Sequence, residues 1–374
     1  MHILSLITSF TTGGAEMLVT NLSGAFVESG HTSTVAALCD AGHLGNCPNI
    51  DAKLREKVRS SGGEARSLGL SRRRGIFAGA RALRRLLAET RPDVIHAHSA
   101  RVLPMLWLAR PDAPVVLTHH NTRFSFPTPL FGLFDRIVRG YVAISRECAD
   151  LIAPHVRRPI SVIANAAGQG FRAAGLRTAP GGEANILSVG ALSAQKDYET
   201  LVRAAAPLRR KLANTGRSAR IRIAGGGDML ASLRSLVASE GVRDMVELLG
   251  ARDDIPALLA EADLFVNCSL YEGFPIAIIE AMNAALPIVA TDVAGNRALV
   301  RDGYNGLLRP HRDPEALATA IDAILSDADG YAAMSSASLT ESEQYSIDRS
   351  AREHLQCYVH ACGSPSLGRL PANA

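Results

Sequence analysis

The chain alternates short apolar segments with longer amphipathic ones, and this pattern most constrains its fold. The short segments predict strands and the longer ones predict helices. Strands that alternate with helices are typical of parallel sheets in a doubly wound α/β architecture. In the first half we predict strands at 2–7, 33–37, 94–97, 115–118, 141–144 and 160–163. In the second half we predict strands at 185–189, 220–224, 245–249, 263–267 and 287–290.

Two domains of ordinary size fit a chain of 374 residues. The segment 175–185, GLRTAPGGEAN, is rich in Gly, Pro and small residues and predicts the linker. We therefore expect domains at 1–174 and 175–344, a final helix at 345–362 and a disordered tail at 363–374.

Composition predicts a cytoplasmic globular protein. Hydrophobic residues make up 47% of the chain and charged residues 20%. No run approaches the ~18 to 20 apolar residues that a membrane span needs. The start, MHILSLI, leads directly into a strand, so we expect no signal peptide. The six cysteines are scattered without metal or disulfide spacing, and we expect reduced thiols.

Charge is divided unevenly along the chain. Residues 1–178 hold 22 Lys and Arg against 12 Asp and Glu, a net +10, whereas residues 179–374 hold 18 against 24, a net −6. Arg72 to Arg74 precede a predicted helix with Arg81, Arg84 and Arg85, and a second segment holds Phe124, Phe126, Phe131 and Phe134 with Arg136 and Arg139. The pattern predicts a surface for an anionic membrane or a lipid-linked acceptor. A solvated Arg-rich helix with a packed Phe loop, or a Phe-lined acceptor pocket, remains an alternative.

Residues 272–280, EGFPIAIIE, hold two carboxylates around a predicted helix start. The helix that follows is apolar on most faces, which predicts burial and makes Glu280 costly without a partner. Free N–H groups in its first turn suit a phosphate. Glu272 before that turn and Glu280 within the helix could grip hydroxyls on both sides of a diphosphate. Alternatively, Glu272 is a solvated loop acid and Glu280 pairs with an arginine.

Two further motifs follow predicted strands in the first half. Gly13 and Gly14 open a helix with Glu16 in its first turn, and such a loop lets backbone N–H groups approach an anion. The segment VVLTHHN places His119 and His120 just past a strand end, where doubly wound sheets bind ligands. His96 and His98 also end a strand, but without Asp, Glu or Cys at ligand spacing these histidines do not predict a metal.

The segments DLFVNCSLYEGFPIAIIEAMNAALPIVATDVAG (263–295) and ILSVGALSAQKDYETL (186–201) strongly resemble the GT-B-fold retaining glycosyltransferases of family 4. The resemblance implies two Rossmann-like domains facing a cleft, with the C-terminal helix crossing back to the first domain. It implies that Glu272 binds the donor sugar, Glu280 the ribose and Lys196 the diphosphate. Other implied donor contacts come from Gly13, Gly14, Gly190, Arg252, Gly273, Phe274, Pro275 and Ile276.

The resemblance also places one functional histidine near the reacting carbon, and alignment on the preceding strand favours His120 over His119. The chain departs from the family at Ala191, where many members have an arginine. Asp327 and Asp329 form a D-x-D, but they end a predicted helix and we expect them to be solvated. We expect no metal and no cofactor.

These features predict a glycosyltransferase that moves a sugar from a nucleotide-diphosphate-sugar donor to a hydroxyl with retention of configuration. The expected acceptor is a carbohydrate or a lipid-linked sugar, in bacterial surface polysaccharide or glycolipid assembly. We expect no nucleic-acid partner, and a location in the cytoplasm or at the inner face of the membrane. A GT-B-fold epimerase or phosphorylase, or a non-catalytic nucleotide- or glycan-binding relative, remains an alternative.

Overall fold

The protein forms two compact units, described from a computed structural model. The structure describes residues 1–11, 13–40, 42, 48–70, 75–120, 124, 126–173 and 175–363. Unit 1 comprises residues 1–165 with 347–374, and unit 2 comprises residues 166–346. The division therefore falls at residue 165, before the predicted linker at 175–185, and the predicted tail lies almost wholly outside the described residues.

Unit 1 contains a parallel sheet flanked by helices. Its strands are β1 (His2–Ile7), β2 (Thr32–Ala37), β3 (Glu64–Ser67), β4 (Val94–Ala97), β5 (Val115–His119), β6 (Val138–Ala143) and β7 (Ile160–Val162). Its helices are α1 (Gly14–Glu28), α2 (Pro48–Ser60), α3 (Ile76–Thr90), α4 (Leu103–Ala109), α5 (Leu130–Phe134) and α6 (Arg146–Ile152), together with the final helix of the described chain, α14 (Ile347–Ala361).

Unit 2 repeats the alternation of strand and helix. Its strands are β8 (Glu183–Val189), β9 (Ser218–Ala224), β10 (Val246–Gly250), β11 (Leu264–Asn267), β12 (Ile288–Thr291) and β13 (Gly306–Arg309). Its helices are α7 (Tyr198–Ala213), α8 (Leu230–Ser239), α9 (Ile255–Glu261), α10 (Ile276–Asn283), α11 (Ala294–Arg297), α12 (Pro314–Ser326) and α13 (Ala328–Ser342).

The strand order of each sheet confirms the predicted doubly wound class. Among the described residues the first sheet runs β3-β2-β1-β4-β5-β6-β7 and the second runs β10-β9-β8-β11-β12-β13, with parallel pairing throughout. Chain order reverses between β1 and β4 in unit 1 and between β8 and β11 in unit 2. Ligands of such sheets bind outside the carboxyl ends of the strands at these reversal points.

Two strands, β3 and β13, were not predicted from the sequence, and both lie at sheet edges. Each is only four residues long, EARS and GLLR, and each is partly exposed along its length. Edge strands this short carry no continuous apolar run, because only one neighbour and part of one face bury them. The central strands β4, β11 and β12 are fully buried and were predicted.

The phenylalanine segment of unit 1 packs inward, which corrects its predicted exposure to a membrane. Phe131 and Phe134 are buried, and their rings lie 6.0 Å apart in an edge-to-face contact. Phe126 lies against both of these rings, and Phe124 lies 5.3 Å from Phe131. The segment therefore belongs to a packed aromatic cluster. Arg72 to Arg74, the other part of that prediction, lie outside the described residues.

Candidate active site

The glycine-rich loops that follow β8 and β9 lie in close contact at the carboxyl ends of these strands in unit 2. A Cβ on Gly225 would lie 1.8 Å from the Gly190 carbonyl oxygen, and a Cβ on Gly227 would lie 2.4 Å from that of Leu192. The Leu192 N–H donates to the Gly226 carbonyl at 2.9 Å. Glycine is required here because the β9 loop approaches the β8 loop of the same unit.

Lys196 and Glu272 meet at the carboxyl ends of β8 and β11. The Lys196 Nζ lies 2.5 Å from Glu272 Oε1, and the Ser269 hydroxyl donates to the same oxygen at 2.7 Å. The side chain of Glu272 is only 7% exposed and that of Lys196 is 19% exposed. Glu272 is therefore a buried, ion-paired acid, which excludes the solvated loop acid considered above.

Hydrogen bonds join the backbone segment that carries Lys196 to the loop that carries Glu272. The Gln195 carbonyl accepts from the Leu270 N–H at 2.8 Å, and the Gln195 side chain donates to the Tyr271 carbonyl at 2.9 Å. Gly295, at the start of α11, brings the loop after β12 against Glu272, since a Cβ there would lie 2.5 Å from the Glu272 carbonyl oxygen. The loop that carries Glu272 is thus held from two sides.

The start of helix α10 presents N–H groups close to this loop in sequence. Pro275 is the N-cap residue, and its carbonyl accepts from the Ile278 N–H at 3.1 Å. The N–H groups of Ile276 and Ala277 meet no backbone acceptor within the described part of the chain. Together with Gly273 and Phe274, this first turn has the features of an anion site. Glu280 is buried in the same helix, 9% exposed.

Arg177 anchors α10, and its role was not predicted from the sequence because the residue lies in the predicted linker. Its guanidinium donates to the Ala284 carbonyl at the end of α10 and to the carbonyls of Leu259, Ala260 and Ala262 at the end of α9. Burial lowers the pKa of Arg177. A cation at two helix C-termini interacts favourably with both helix dipoles. It thereby fixes the helix that carries Glu280.

Unit 1 gathers four histidines around the carboxyl ends of β4 and β5, here called the histidine cluster: the buried His96, His98 and His354 and the half-buried His120. His98 Nδ1 lies 3.2 Å from His120 Nε2, and His96 hydrogen-bonds Thr118 and Tyr358 at 2.6 Å each. His354 comes from α14, which packs on unit 1. The Nε2 atom of His98 is buried without a hydrogen-bond partner in the described structure.

Burial keeps the histidine cluster uncharged. It lowers the pKa of His120 to about 3, with a further contribution from His119, and the pKa of His354 to about 4. The pKa values of His96 and His98 lie well below the usual value for the same reason. These imidazoles are thus neutral at pH 7, and they offer hydrogen bonds rather than positive charge.

Gly13 forms the N-cap of α1 as the sequence predicted, and the chain itself supplies a carboxylate there. A Cβ on Gly13 would lie 2.3 Å from Glu16 Oε2. The Glu16 side chain therefore folds back on the helix start, and burial raises its pKa. Arg252 follows β10, and its guanidinium pairs with Asp254. It is exposed, and Asp254, 2.7 Å away, raises its pKa.

Neither metal ligation nor a membrane span is visible in the described part of the chain. No group of three or more His, Cys, Asp or Glu side chains there could hold a metal ion. The carboxylate of Asp327 in the D-x-D accepts from the Gly330 N–H at 3.0 Å and caps α13. None of the described helices is both long and apolar enough to cross a bilayer.

Comparison with known proteins identifies the family. Residues 12–167 match the model of Glycosyltransferase Family 4, and residues 177–340 match that of Glycosyl transferases group 1. The chain is 37% identical to alpha-D-kanosaminyltransferase of Streptomyces kanamyceticus, over 38% of this chain and 36% of that protein. It is 28% identical to the lipopolysaccharide core biosynthesis glycosyltransferase LpsE of Rhizobium meliloti, over 84% of this chain and 86% of that one.

Among solved structures, HepE of Anabaena in complex with UDP-glucose superposes with a TM-score of 0.76 at 21% identity, covering 95% of this chain and 99% of HepE. The first three curated relatives are matched over only 36%, 45% and 38% of their own lengths. The two family models nevertheless match consecutive segments of the chain, residues 12–167 and 177–340. The chain therefore belongs to the glycosyltransferases of group 1, family 4.

Proposed function

We propose that this protein transfers a sugar from a nucleoside-diphosphate sugar to a hydroxyl acceptor with retention of anomeric configuration. The observation that carries the proposal is the constellation of unit 2: the paired Lys196 and Glu272 next to the open first turn of α10, with Glu280 buried one turn further on. A cation and free N–H groups suit a diphosphate, while two carboxylates suit hydroxyl groups.

In this proposal each group has a separate task. Lys196 and the N–H groups of Ile276 and Ala277 bind the diphosphate and stabilise the charge that develops as it leaves. Glu272 accepts hydrogen bonds from the sugar and Glu280 from the ribose. The family resemblance assigns His120 to the transferring sugar, where a neutral imidazole would act through hydrogen bonds.

The chemical step is a front-face displacement. The acceptor oxygen forms a bond to the anomeric carbon while the bond from that carbon to the β-phosphate oxygen breaks. The proton of the acceptor hydroxyl passes to an oxygen of the departing diphosphate. Because the oxygen enters on the face that the diphosphate leaves, the configuration is retained without a covalent enzyme intermediate.

The proposed setting is the assembly of bacterial surface polysaccharide or glycolipid in the cytoplasm. LpsE, which aligns with most of this chain, is named for lipopolysaccharide core biosynthesis. HepE was solved with UDP-glucose, so UDP sugars are the first donors to test. The uneven charge of the chain is consistent with an anionic, lipid-linked acceptor near unit 1.

Assay of the released nucleotide tests the proposal. Donors with UDP, GDP, ADP and dTDP are first ranked by thermal shift, and the best donor is incubated with and without lipid-linked and soluble sugar acceptors. We expect free nucleoside diphosphate to form in proportion to glycosylated product, whose anomeric configuration is read by NMR. Nucleotide release that needs no acceptor would favour an epimerase, and a dependence on inorganic phosphate would favour a phosphorylase. Donor binding without turnover under any of these conditions would favour a non-catalytic relative.

A further inference from the structure

Unit 1 has a second concave surface, a groove of about 450 Å³ at the amino ends of β5 and β6. Its lining includes Arg84 from α3, Trp107 from α4, Arg110 just after α4, Arg136 just before β6 and Arg139 within β6. The histidine cluster lies at the carboxyl ends of the same sheet. The groove therefore faces away from the edge that carries the candidate catalytic residue, and the proposed sugar transfer makes no use of it.

The arginines of the groove carry charge without carboxylate partners. Arg110, Arg136 and Arg139 are exposed, and within the described residues they form no ion pair or side-chain hydrogen bond. Arg84 donates to the Leu108 carbonyl, which holds its guanidinium at the groove. With Asp112 as the only acid in the lining, the groove has a net charge of +3 from four arginines and one aspartate.

Several exposed arginines of unit 2 are paired with acids. In unit 2, Arg203 pairs with Glu199, Arg209 with Asp244 and Arg220 with Glu183. The groove differs from these pairs because three of its four arginines have no carboxylate partner within the described residues. Guanidinium groups bind phosphate oxygens in a bidentate manner, so the groove is complementary to phosphate.

Large apolar side chains stand exposed beside this charge. Trp107, the single tryptophan of the chain, is 47% exposed, and Phe77 on α3 is 81% exposed. Phe77, Arg81 and Arg84 are spaced by four and three residues and share one face of α3, opposite the buried Leu83 and its neighbours. Helix α3 packs on α4, where Gly79 makes room for Met105. The exposed face of α3 therefore leads to the groove.

We propose that this surface binds an anionic lipid bilayer, with a phospholipid phosphate in the arginine groove and Phe77 and Trp107 in the membrane interface. A soluble polyanion would account for the arginines but would leave the two aromatic side chains in water. A bilayer offers phosphate together with an interfacial layer where aromatic rings are stable.

Vesicle sedimentation of the full chain tests this surface. Vesicles of phosphatidylcholine with about 30% phosphatidylglycerol are compared with pure phosphatidylcholine at low and high NaCl. We expect binding to the anionic vesicles only, and weaker binding at high salt. Each arginine near an anionic surface contributes about fivefold to partitioning, so Arg110→Ser, Arg136→Ser and Arg139→Ser together should weaken binding about 100-fold. Phe77→Ser should weaken it about tenfold.

A matched control variant distinguishes binding at the arginine groove from an effect of the protein's net charge. Arg203→Ser, Arg209→Ser and Arg220→Ser together remove the same charge from unit 2 and should leave vesicle binding nearly intact. The single tryptophan supplies a direct readout: its emission should shift to the blue on binding and be quenched by brominated acyl chains. Calorimetry verifies that each variant is folded, and turnover with a soluble acceptor should be unchanged in the groove variant.

Three results would overturn the proposal. The wild type could fail to bind anionic vesicles at low salt, or the control variant could lose as much binding as the groove variant. Binding without quenching of Trp107 and without an effect of Phe77→Ser would instead indicate a site for soluble anions. None of these results depends on which sugar the enzyme transfers.

Discussion

Replacing Glu272 by Gln should tighten the binding of UDP, although it removes a residue of the proposed active site. Lys196 is paired with Glu272 at 2.5 Å. A diphosphate has to attract Lys196 away from this carboxylate or share it. Glutamine keeps the size of the side chain and an acceptor for the Ser269 hydroxyl, but it no longer holds the ammonium by charge.

The expected gain in UDP affinity follows from how deeply the Lys196–Glu272 ion pair is buried. Fully exposed ion pairs are worth about 0.2 to 1 kcal/mol, and hydrogen bonds to charged groups are worth about 1.5 to 3 kcal/mol. The Lys196–Glu272 pair is mostly buried, with Lys196 still 19% exposed, so we assign it about 1 to 2 kcal/mol. Releasing Lys196 should therefore tighten UDP binding about 5- to 30-fold. Turnover of the UDP sugar should fall, because the carboxylate that orients the sugar is lost.

Calorimetric titration with UDP measures the gain in affinity caused by Glu272→Gln, in a double-mutant cycle with Lys196→Ala. Lys196→Ala alone should weaken binding about 10- to 100-fold. In the Lys196→Ala background most of the gain from Glu272→Gln should vanish, because no ammonium remains to be released. Glu261→Gln, which removes the charge of an exposed partner of Arg222, is the control for net charge. Weaker or unchanged UDP binding by the folded Glu272→Gln protein would refute the reasoning. An equally large gain in UDP affinity from Glu272→Gln in the Lys196→Ala background would refute it too.

Three other outcomes are expected. Arg177→Ala should destabilise the protein by about 2 to 5 kcal/mol, because four carbonyls lose a charged donor, and Arg177→Lys should not restore it; calorimetric unfolding measures both. The histidine cluster binds protons in the unfolded chain near pH 6.5 but not in the folded one. Stability should therefore be full above pH 6.5 and fall as the pH decreases toward 4, by up to about 1.4 kcal/mol per histidine and pH unit, with a smaller slope in His354→Gln. His120→Ala should lower turnover far more than UDP affinity; the same phenotype in His119→Ala alone would show that the alignment is off by one residue.

The repeating pattern made the sheets predictable, because buried parallel strands need continuous apolar segments. Strand β11, for example, is buried on both faces and was recognised from that feature alone. Strand β3 was not recognised, since its sequence EARS satisfies backbone pairing at an edge with one buried side chain. What the pattern does not encode is which edge strands complete a sheet, because pairing at an edge places little demand on side chains.

The sequence predicted individual residues of the candidate site, but it did not predict which of them contact each other. Lys196 and Glu272 were singled out separately, yet their pairing joins positions 76 residues apart and arises only when β8 and β11 become neighbours. His354 gave no local signal, because it reaches the other histidines only through the packing of α14. Arg177 resembled linker sequence, and its role is visible only once two helix ends converge on it.

In each unit a carboxylate of the chain lies where the proposed function places an anion, and this changes how donor binding should be understood. In unit 1 the Glu16 carboxylate lies at the Gly13 N-cap, where an incoming anion would benefit from the helix dipole. In unit 2 the Glu272 carboxylate holds the ammonium of Lys196 that a diphosphate would need. At these two positions an anionic ligand would therefore exchange with a carboxylate of the chain. Such exchange lowers the affinity for anions that supply charge alone, and it favours a donor whose sugar hydroxyls give the displaced Glu272 a new hydrogen-bond partner.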